Sequence, residues 1–507
     1  MQNTRWVRLI CILLVALMTV CLFAACNDPE EQGNQQNNNN NNNQTDQGNT
    51  QNPDDLDYLL TVTPDNFYDQ TITILCREDK AYETDVDEDA SSLMEKAVYD
   101  RNARVEEYLN IEIVGHPVPG SWPLRSQFIE ILANAVATTD NSFQLAATHS
   151  NYMAGLTVND QFWNIKTVED KIDLNASWWS ESWVENATIG GKMFFVTGDA
   201  SLTMWEGLYA VFFNRQMAVD RYEEIGDLYQ LVRDEEWTLE MLAMLSDIYI
   251  DDGNDVRDAA DTYGLIINRH SMRTFITSCD LPLAERNEQG GFDLIFMDED
   301  HAEKVTNVYA SLYNLIYNNE GTWDSKLQDG DYTEMLQMFT AEDGALFMTG
   351  TLENANQLRQ AKMEFGILPF PKYDVDQETY LAHSYDGLSA FGIPACALDP
   401  AMSAKVLDAI GAESKYSVVP AYHEVVLDGR IAQDADSKEM LGIIRQNLYF
   451  DFGFIYSDAL KGSSQAGPFA FFGDELRAGR ESLASGWASA YETYTVRLAE
   501  LMAKFNQ

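Results

Sequence analysis

Short runs of β-branched and apolar residues alternate with helical stretches along most of this chain, and that alternation narrows its fold more than any other feature. Residues 71–76 (TITILC) read as a first strand. Met94, Val98, Val105 and Leu109 then recur at spacings of four and seven, which puts them on one stripe of an amphipathic helix. Residues 111–114 read as a second strand, 123–137 as a helix with Pro123 in its first turn, and 143–147 as a third strand. Strand, helix, strand, helix, strand calls for crossover connections, so these strands are expected to run parallel. Open sheets of this kind bind ligands at the carboxyl ends of their strands.

A second unit of the same kind follows. Strands are expected at 193–196, 208–213 and 263–267, and a helix starts after Thr238, a good N-cap, with Glu240 in the first turn. Helical patterns cover 301–317 and 332–339, strands return at 345–348 and 365–368, and the chain from Ala401 onward is mainly helical. No repeat of a solenoid kind is present in the sequence.

The N-terminus is a separate signal. Arg5 and Arg8 precede an apolar run from Leu9 to Val20, followed by Ala24 and Ala25, the order of a secretory signal peptide. The run is short for a membrane-spanning helix. Residues 1–25 are therefore expected to be removed. Leu22-Phe23-Ala24-Ala25-Cys26 resembles a bacterial lipobox, which would leave Cys26 as a lipidated N-terminus. Phe23 stands where that pattern more often has Leu or Val. Residues 26–65, with an Asn run from Asn37 to Asn43, read as a disordered tether, because such a composition cannot bury enough apolar surface to offset its ordering entropy. Roughly 30 flexible residues reach about 30 Å.

Charge excludes some partners. The formal net charge is −48, from 81 acidic against 33 basic residues, and phosphate binding needs a basic face, so no nucleic-acid partner is expected. Beyond the first 26 residues, Cys76, Cys279 and Cys396 lie too far apart for a disulfide framework or a zinc spacing and read as buried free thiols.

Four stretches carry a family resemblance. They are Phe143-Gln144-Leu145-Ala146-Ala147 with the later Gly155; Gly191-Lys192-Met193-Phe194-Phe195-Val196 followed by Phe212-Phe213-Asn214-Arg215; Trp237-Thr238-Leu239-Glu240; and residues 339–350 (FTAEDGALFMTG) followed by 365–371 (FGILPFP). In this order, behind a lipobox and a tether, they resemble the bacterial extracellular solute-binding proteins of the family that includes maltose-binding protein. Trp237 and Thr238 are transposed relative to that family's pattern. The resemblance implies an α/β, two-lobed periplasmic-binding-protein-like (type II) fold, each lobe a mainly parallel sheet flanked by helices, joined by a multi-crossing hinge. Carried over, residues 66–200 with 341–395 make lobe 1, and 201–340 with 396–507 make lobe 2. It implies an extracytoplasmic lipoprotein, held at the cell membrane by its lipid, that closes on a carbohydrate or other polar small molecule and delivers it to the permease subunits of an ABC importer. No cofactor, metal or catalysis is implied.

Sugars present hydroxyls in the ring plane and apolar faces above and below it, so flat aromatic side chains with carboxylates and donors at the edge suit them. With ten Trp and 24 Tyr the chain has such groups in plenty. His149, Ser150 and Tyr152 follow the third strand at its carboxyl edge, where His149 either donates to a ligand hydroxyl or is an ordinary loop histidine. Asp199, Trp205 and Glu206 lie at the first expected crossing, where Trp205 beside a carboxylate would be a stacking platform with a hydroxyl acceptor. Thr351 follows Gly350, and Tyr385 and Asp386 precede the strand at 388–393. Arg77 and Glu78 are equally well explained as an exposed charged turn. Trp178, Trp179 and Trp183 read as core packing. No H-E-x-x-H, P-loop, G-x-G-x-x-G or G-x-S-x-G occurs. The acidic stretches at Asp85 and Asp251 lack the EF-hand pattern and read as solvated loops. A surface glycan-active enzyme and a ligand sensor for a signalling receptor remain alternatives to import.

Overall fold

The computed structural model describes residues 56–221, 228–325, 332–342, 344–361, 363–427, 435–463 and 466–506. They belong to the compact unit Pro53–Gln507. The signal-like segment, Cys26 and most of the tether lie outside the described residues. The expected tether ends earlier than residue 65. Tyr58–Thr61 forms a 3-10 turn, Leu59 and Val62 are buried, and the Tyr108 hydroxyl donates to the Val62 carbonyl at 2.7 Å. Leu59 and Val62 supply the apolar contact that the Asn/Gln-rich stretch before them lacks.

Two sheets organise the fold. In the first, β1 (Gln70–Arg77) lies between β2 (Ile111–Val118) and β3 (Leu145–His149), parallel to both. A strand so placed is covered on both faces, which fits the unbroken burial of its carboxyl half, Ile74 to Arg77. The helix Leu93–Leu109 crosses between β1 and β2. Ser92 and Glu95 close its start as a capping box, and Val98, Val105 and Leu109 face the core. The rest of this sheet is β4 (Phe195–Val196) and a later strand, β13 (Ser389–Gly392), giving the order β2-β1-β3-β13-β4.

The second sheet has the order β10-β7-β11-β5-β12, from β5 (Tyr209–Asn214), β7 (Thr262–Asn268), β10 (Thr322–Ser325), β11 (Ala345–Thr351) and β12 (Phe365–Leu368), with β6 (Tyr249–Ile250) on β7. A hairpin of β8 (Ala284–Arg286) and β9 (Phe292–Leu294) stands apart. Thr238 caps the helix Leu239–Leu245, accepting from the Met241 amide.

Each main sheet contains one reversed strand within its order, and the two reversed strands have a common origin. β5 runs antiparallel to β11 and β12, and β13 antiparallel to β3 and β4. β5 receives the chain from the first sheet, and β13 receives it from the second. A chain that leaves one sheet at a carboxyl edge and enters the other against its neighbours must enter at their carboxyl edge. Tyr209, which opens β5, accordingly lies beside Thr351 at the end of β11; Ser389, which opens β13, lies beside His149 at the end of β3. The carboxyl edges of both sheets therefore meet the same connections. A third connection joins the helix Val418–Leu427, packed on Leu93–Leu109, to the helix Ala435–Gln446, packed on β12.

Two expected assignments are corrected. Residues 341–395 do not all join the first sheet: β11 and β12 pair with β5 in the second, and β13 alone returns. A strand's sequence encodes its conformation and burial but not its partner. Residues 396–507 do not all flank the second sheet. Pro400–Tyr416 packs on Leu93–Leu109, and Ser457–Leu460 on the helix Ser150–Val158, while Pro468–Arg477 packs on Arg269–Ser278.

Candidate functional site

Where the first sheet ends, Arg77 closes β1 and His149 closes β3. Arg77 is 3% exposed. Its Nη2 donates to the Gly387 carbonyl at 2.9 Å, and its Nε has no hydrogen-bond partner among the described residues. The reading of Arg77 as an exposed turn residue is thereby replaced: it is buried and tied to the segment entering β13. His149 stacks on Tyr152 at 5.6 Å and meets Trp122 at 5.5 Å. Its Nδ1 also lacks a partner. Burial, with the Arg77 charge adding to it, pushes the imidazole down to about 3, so it is neutral near pH 7.

The segment entering β13 supplies Tyr385 and Asp386. Asp386 accepts from Asn151 Nδ2 at 3.0 Å, and its backbone carbonyl accepts from the Ser150 hydroxyl at 2.8 Å. From the second sheet, Arg273, on the helix after β7, brings Nη1 within 3.5 Å of the same carboxylate and Nη2 within 3.0 Å of Asp474. Burial raises the Asp386 carboxyl, but Arg273 and the flanking histidines outweigh it and leave it below the usual range. Tyr385 is half-buried, its hydroxyl has no hydrogen-bond partner among the described residues, and burial raises that hydroxyl well above its ordinary value. Its ring lies on Gly207, where an added Cβ would stand 2.0 Å from the Tyr385 Cδ1, so the first connection needs a glycine for close approach.

A second group spans the two sheets. Glu206 accepts from the Tyr82 hydroxyl and lies 3.8 Å from Lys80, which also reaches Glu353, beyond β11, at 3.9 Å. Burial pushes the Glu206 carboxyl up to about 7, against the Lys80 charge. Thr351 ends β11, its amide held by the Asn354 side chain at 3.0 Å.

Of the nine residues singled out, His149, Ser150, Tyr385 and Asp386 converge, and Glu206 and Thr351 lie at the same edges. Tyr152 is a support: its hydroxyl donates to the Gly120 carbonyl at 2.9 Å and is bonded to Thr148. Asp199 and Trp205 belong elsewhere. Adjacent residues on a helix point about 100° apart, so on the short helix Leu202–Glu206 the indole of Trp205 faces away from Glu206. The expected platform of Trp205 with Glu206 is not formed; the Trp205 Nε1 donates to Asp199 at 3.1 Å instead. Asp199 is buried, 3.6 Å from Lys415, and burial pushes it up to about 6. These two residues line a separate cavity with Trp178 and Trp179, while Trp183 alone of that cluster is fully enclosed in the core.

Sequence reasoning passed over Trp122, Lys80, Tyr82 and Arg273. Trp122 keeps 39% of its surface exposed, beside His149 and with Arg125 and Lys461 over its ring at 4.2 and 5.6 Å. A tryptophan just beyond the carboxyl end of β2 was the available signal. For Arg273 it was the cluster Arg269, His270, Arg273 in so acidic a chain. The three cysteines are buried, and burial pushes the Cys76 and Cys279 thiols up to about 11 and about 12. Asp251, Asp252 and Asp261 bring carboxylate oxygens within 4.8 Å of one another, but Asp261 is already occupied by Tyr249 and by the Asp252 and Asp258 amides. Among the described residues no helix is long and apolar enough to cross a membrane.

Buried polar atoms without partners are uncommon. Here Arg77 Nε, His149 Nδ1, Arg273 Nε and the Tyr385 hydroxyl, without partners among the described residues, belong to residues at the two carboxyl edges, and the exposed Trp122 indole stands beside His149. Such a set suits a polar guest with one apolar face.

No protein-family profile matches the sequence, and no curated protein matches it in sequence. Solved structures match in fold. A cyclo/maltodextrin-binding protein complexed with maltotetraose aligns with a TM-score of 0.52 at 10% identity, covering 87% of this chain and 98% of that one. The galacto-N-biose-/lacto-N-biose I-binding protein of the ABC transporter from Bifidobacterium longum, in complex with lacto-N-biose, aligns with a TM-score of 0.51 at 11% identity, covering 86% and 98%. An ABC substrate-binding protein from Listeria monocytogenes in complex with cycloalternan gives 0.50 at 10% identity, covering 86% and 99%. The chain has the two-lobed, periplasmic-binding-protein-like fold that these proteins share.

Proposed function

From that shared fold we propose that the protein is an extracytoplasmic solute-binding lipoprotein that captures a carbohydrate, an oligosaccharide, between its lobes. The lobes are the two sheet-bearing bodies, the first built on residues 66–200 and the return strand β13, the second on 201–368. The protein is anchored through Cys26 and passes its ligand to the permease subunits of an ABC importer. It binds without turnover.

The observation that carries this reading is the set of buried polar atoms, unpartnered among the described residues, at the facing carboxyl edges, with Trp122 beside His149. Trp122 offers a stacking face. His149, neutral near pH 7, offers a nitrogen to a hydroxyl, and Asp386 and Arg273 supply an acceptor and a donor at the rim. Arg273 and Glu353 come from the second sheet, Arg77 and Lys80 from the first, so a ligand touching both draws the lobes together. Only contacts better made in the closed state supply the free energy of closure. The lipobox and the three similar structures, each described with a bound saccharide, support the same reading.

The test is a thermal-shift screen of the detergent-solubilised full chain against mono- and oligosaccharides, with product analysis after prolonged incubation. A raised melting temperature with intact saccharide is expected. No shift across the panel would remove the carbohydrate assignment, and released sugar would make the protein an enzyme.

A further inference from the structure

Behind the short helix Leu202–Glu206, on the side away from Glu206, lies a cavity of about 990 Å³. This is at the upper end of the roughly 300–1,000 Å³ range of small-ligand pockets. Its walls come from three of the connections between the sheets: Asp199 and Trp205 from the first, Leu381 from the second, and the helices Val418–Leu427 and Ala435–Gln446 from the third. None of the residues grouped around Asp386 lines it.

The walls combine two kinds of surface. Trp178, Trp179, Trp205, Tyr58, Tyr416 and Tyr449 present aromatic rings. Polar groups stand between them. Arg445 lies over the Trp205 ring at 5.2 Å, and His423 meets its edge at 5.8 Å. His423 is 9% exposed, and its Nε2 has no hydrogen-bond partner among the described residues. Burial, with Arg445 beside it, pushes that imidazole down to about 3, so it is uncharged near neutral pH. Lys415 and Arg445 line the space together with Asp199, Glu181 and Glu185, and Lys415 already lies 3.6 Å from Asp199, so cations and anions are nearly matched. A strongly charged guest gains little from such a balance. An aliphatic guest would leave the polar groups desolvated and unanswered. A neutral, hydroxyl-rich molecule with flat apolar faces satisfies both kinds of wall.

We propose that this cavity is a second ligand site, separate from the one between the carboxyl edges, and that it takes a short neutral saccharide. This goes beyond the functional reading above and stands on its own observations, so the two can fail separately.

Gly442 provides the test. It lies mid-helix in the cavity wall, and a Cβ built on it meets nothing within 4 Å. Gly442→Phe therefore starts from a Cβ that meets nothing and sets a ring on the cavity wall to obstruct it, and any residue but proline improves on glycine inside a helix. The full chain in detergent is titrated calorimetrically with maltotetraose, cellotetraose and mannotetraose. For at least one probe, two binding events per chain are expected. Gly442→Phe removes one and keeps the other, while Trp122→Ala weakens the other alone. Gly442→Ala, which leaves the space open, keeps both. Should Gly442→Phe lower the melting temperature, Tyr416→Ala, which trims an exposed part of the wall, weakens the same event. A single event lost in Gly442→Phe and kept in Trp122→Ala upholds the cavity and removes the assignment between the carboxyl edges. A single event indifferent to Gly442→Phe overturns the cavity site and leaves the other reading intact. One event weakened by both variants also overturns it, since the ligand then occupies one continuous site. Absence of binding by all three probes overturns it as well.

Discussion

His149 gives a prediction whose size follows from its burial. Its imidazole, ordinarily near 6.5, is pushed down to about 3 in the folded protein, by burial first and by the Arg77 charge second. In the unfolded chain it titrates normally, so between these two values the unfolded state holds more protons, and stability falls as pH falls. Nothing is lost above the ordinary value, and the loss is complete only below about 3. At about pH 5 the unfolded imidazole is roughly 1.5 units below its titration point and the folded one still neutral. At about 1.4 kcal/mol per unit, His149 alone costs about 2 kcal/mol there relative to about pH 7.5. His383 and His423, both pushed down to about 3 by burial, add dependences of the same sign. Comparison with His149→Gln isolates one residue. Urea unfolding of both proteins at the two pH values should give a wild-type loss about 2 kcal/mol larger than that of the variant. A difference below about 0.5 kcal/mol would mean that the folded imidazole titrates nearly as in water, and the picture of a desolvated, neutral nitrogen beside Trp122 would fail.

Three further outcomes are expected. Gly207→Ala forces a methyl group to 2.0 Å from the Tyr385 ring and should destabilise by about 1–3 kcal/mol, read by denaturant unfolding, while weakening saccharide binding because Tyr385 shifts. Arg273→Met strips Asp386 and Asp474 of their shared cation; a loss of about 1–3 kcal/mol is expected, less than for a fully enclosed pair because the Asp386 side chain keeps 25% exposure, and Asp386→Asn in the same chain should recover part of it. Cys26→Ser should move the protein from the membrane fraction to the soluble one and abolish the lipid mass increment measured by mass spectrometry.

Local structure was legible where side-chain pattern alone decides it. The strand over 365–368 and the stripe of Val98, Val105 and Leu109 follow from burial on a strand or on one face of a helix, and the structure has both. Thr238 was readable as a cap because its hydroxyl needs only the amide three residues on. Partner choice was not legible. Nothing in Ala345-Leu346-Phe347-Met348 tells which sheet it joins, and the expectation placed it with the wrong one. The same limit split the candidate site. Trp205 and Glu206 are neighbours in sequence, yet the step of about 100° between adjacent residues of a short helix sends them to different faces. Asp386 and Arg273, 113 positions apart, meet only because β13 begins and β7 ends at facing edges. Sequence spacing carries such a meeting only once the topology is known.

The reversed strands also bear on how the chain is assembled. β13 lies between β3 and β4, so the first sheet stays in two pieces until Gly392 has been synthesised, by which point every strand of the second sheet already exists. The body begun first is thus completed last. A polypeptide halted near residue 380 would hold a whole second sheet but leave β3 with an open flank, the kind of bare strand that invites aggregation. Of two fragments split at the first connection, the C-terminal one holds every described strand of the second sheet, whereas the N-terminal one lacks β13 and so cannot close the first sheet without the rest of the chain.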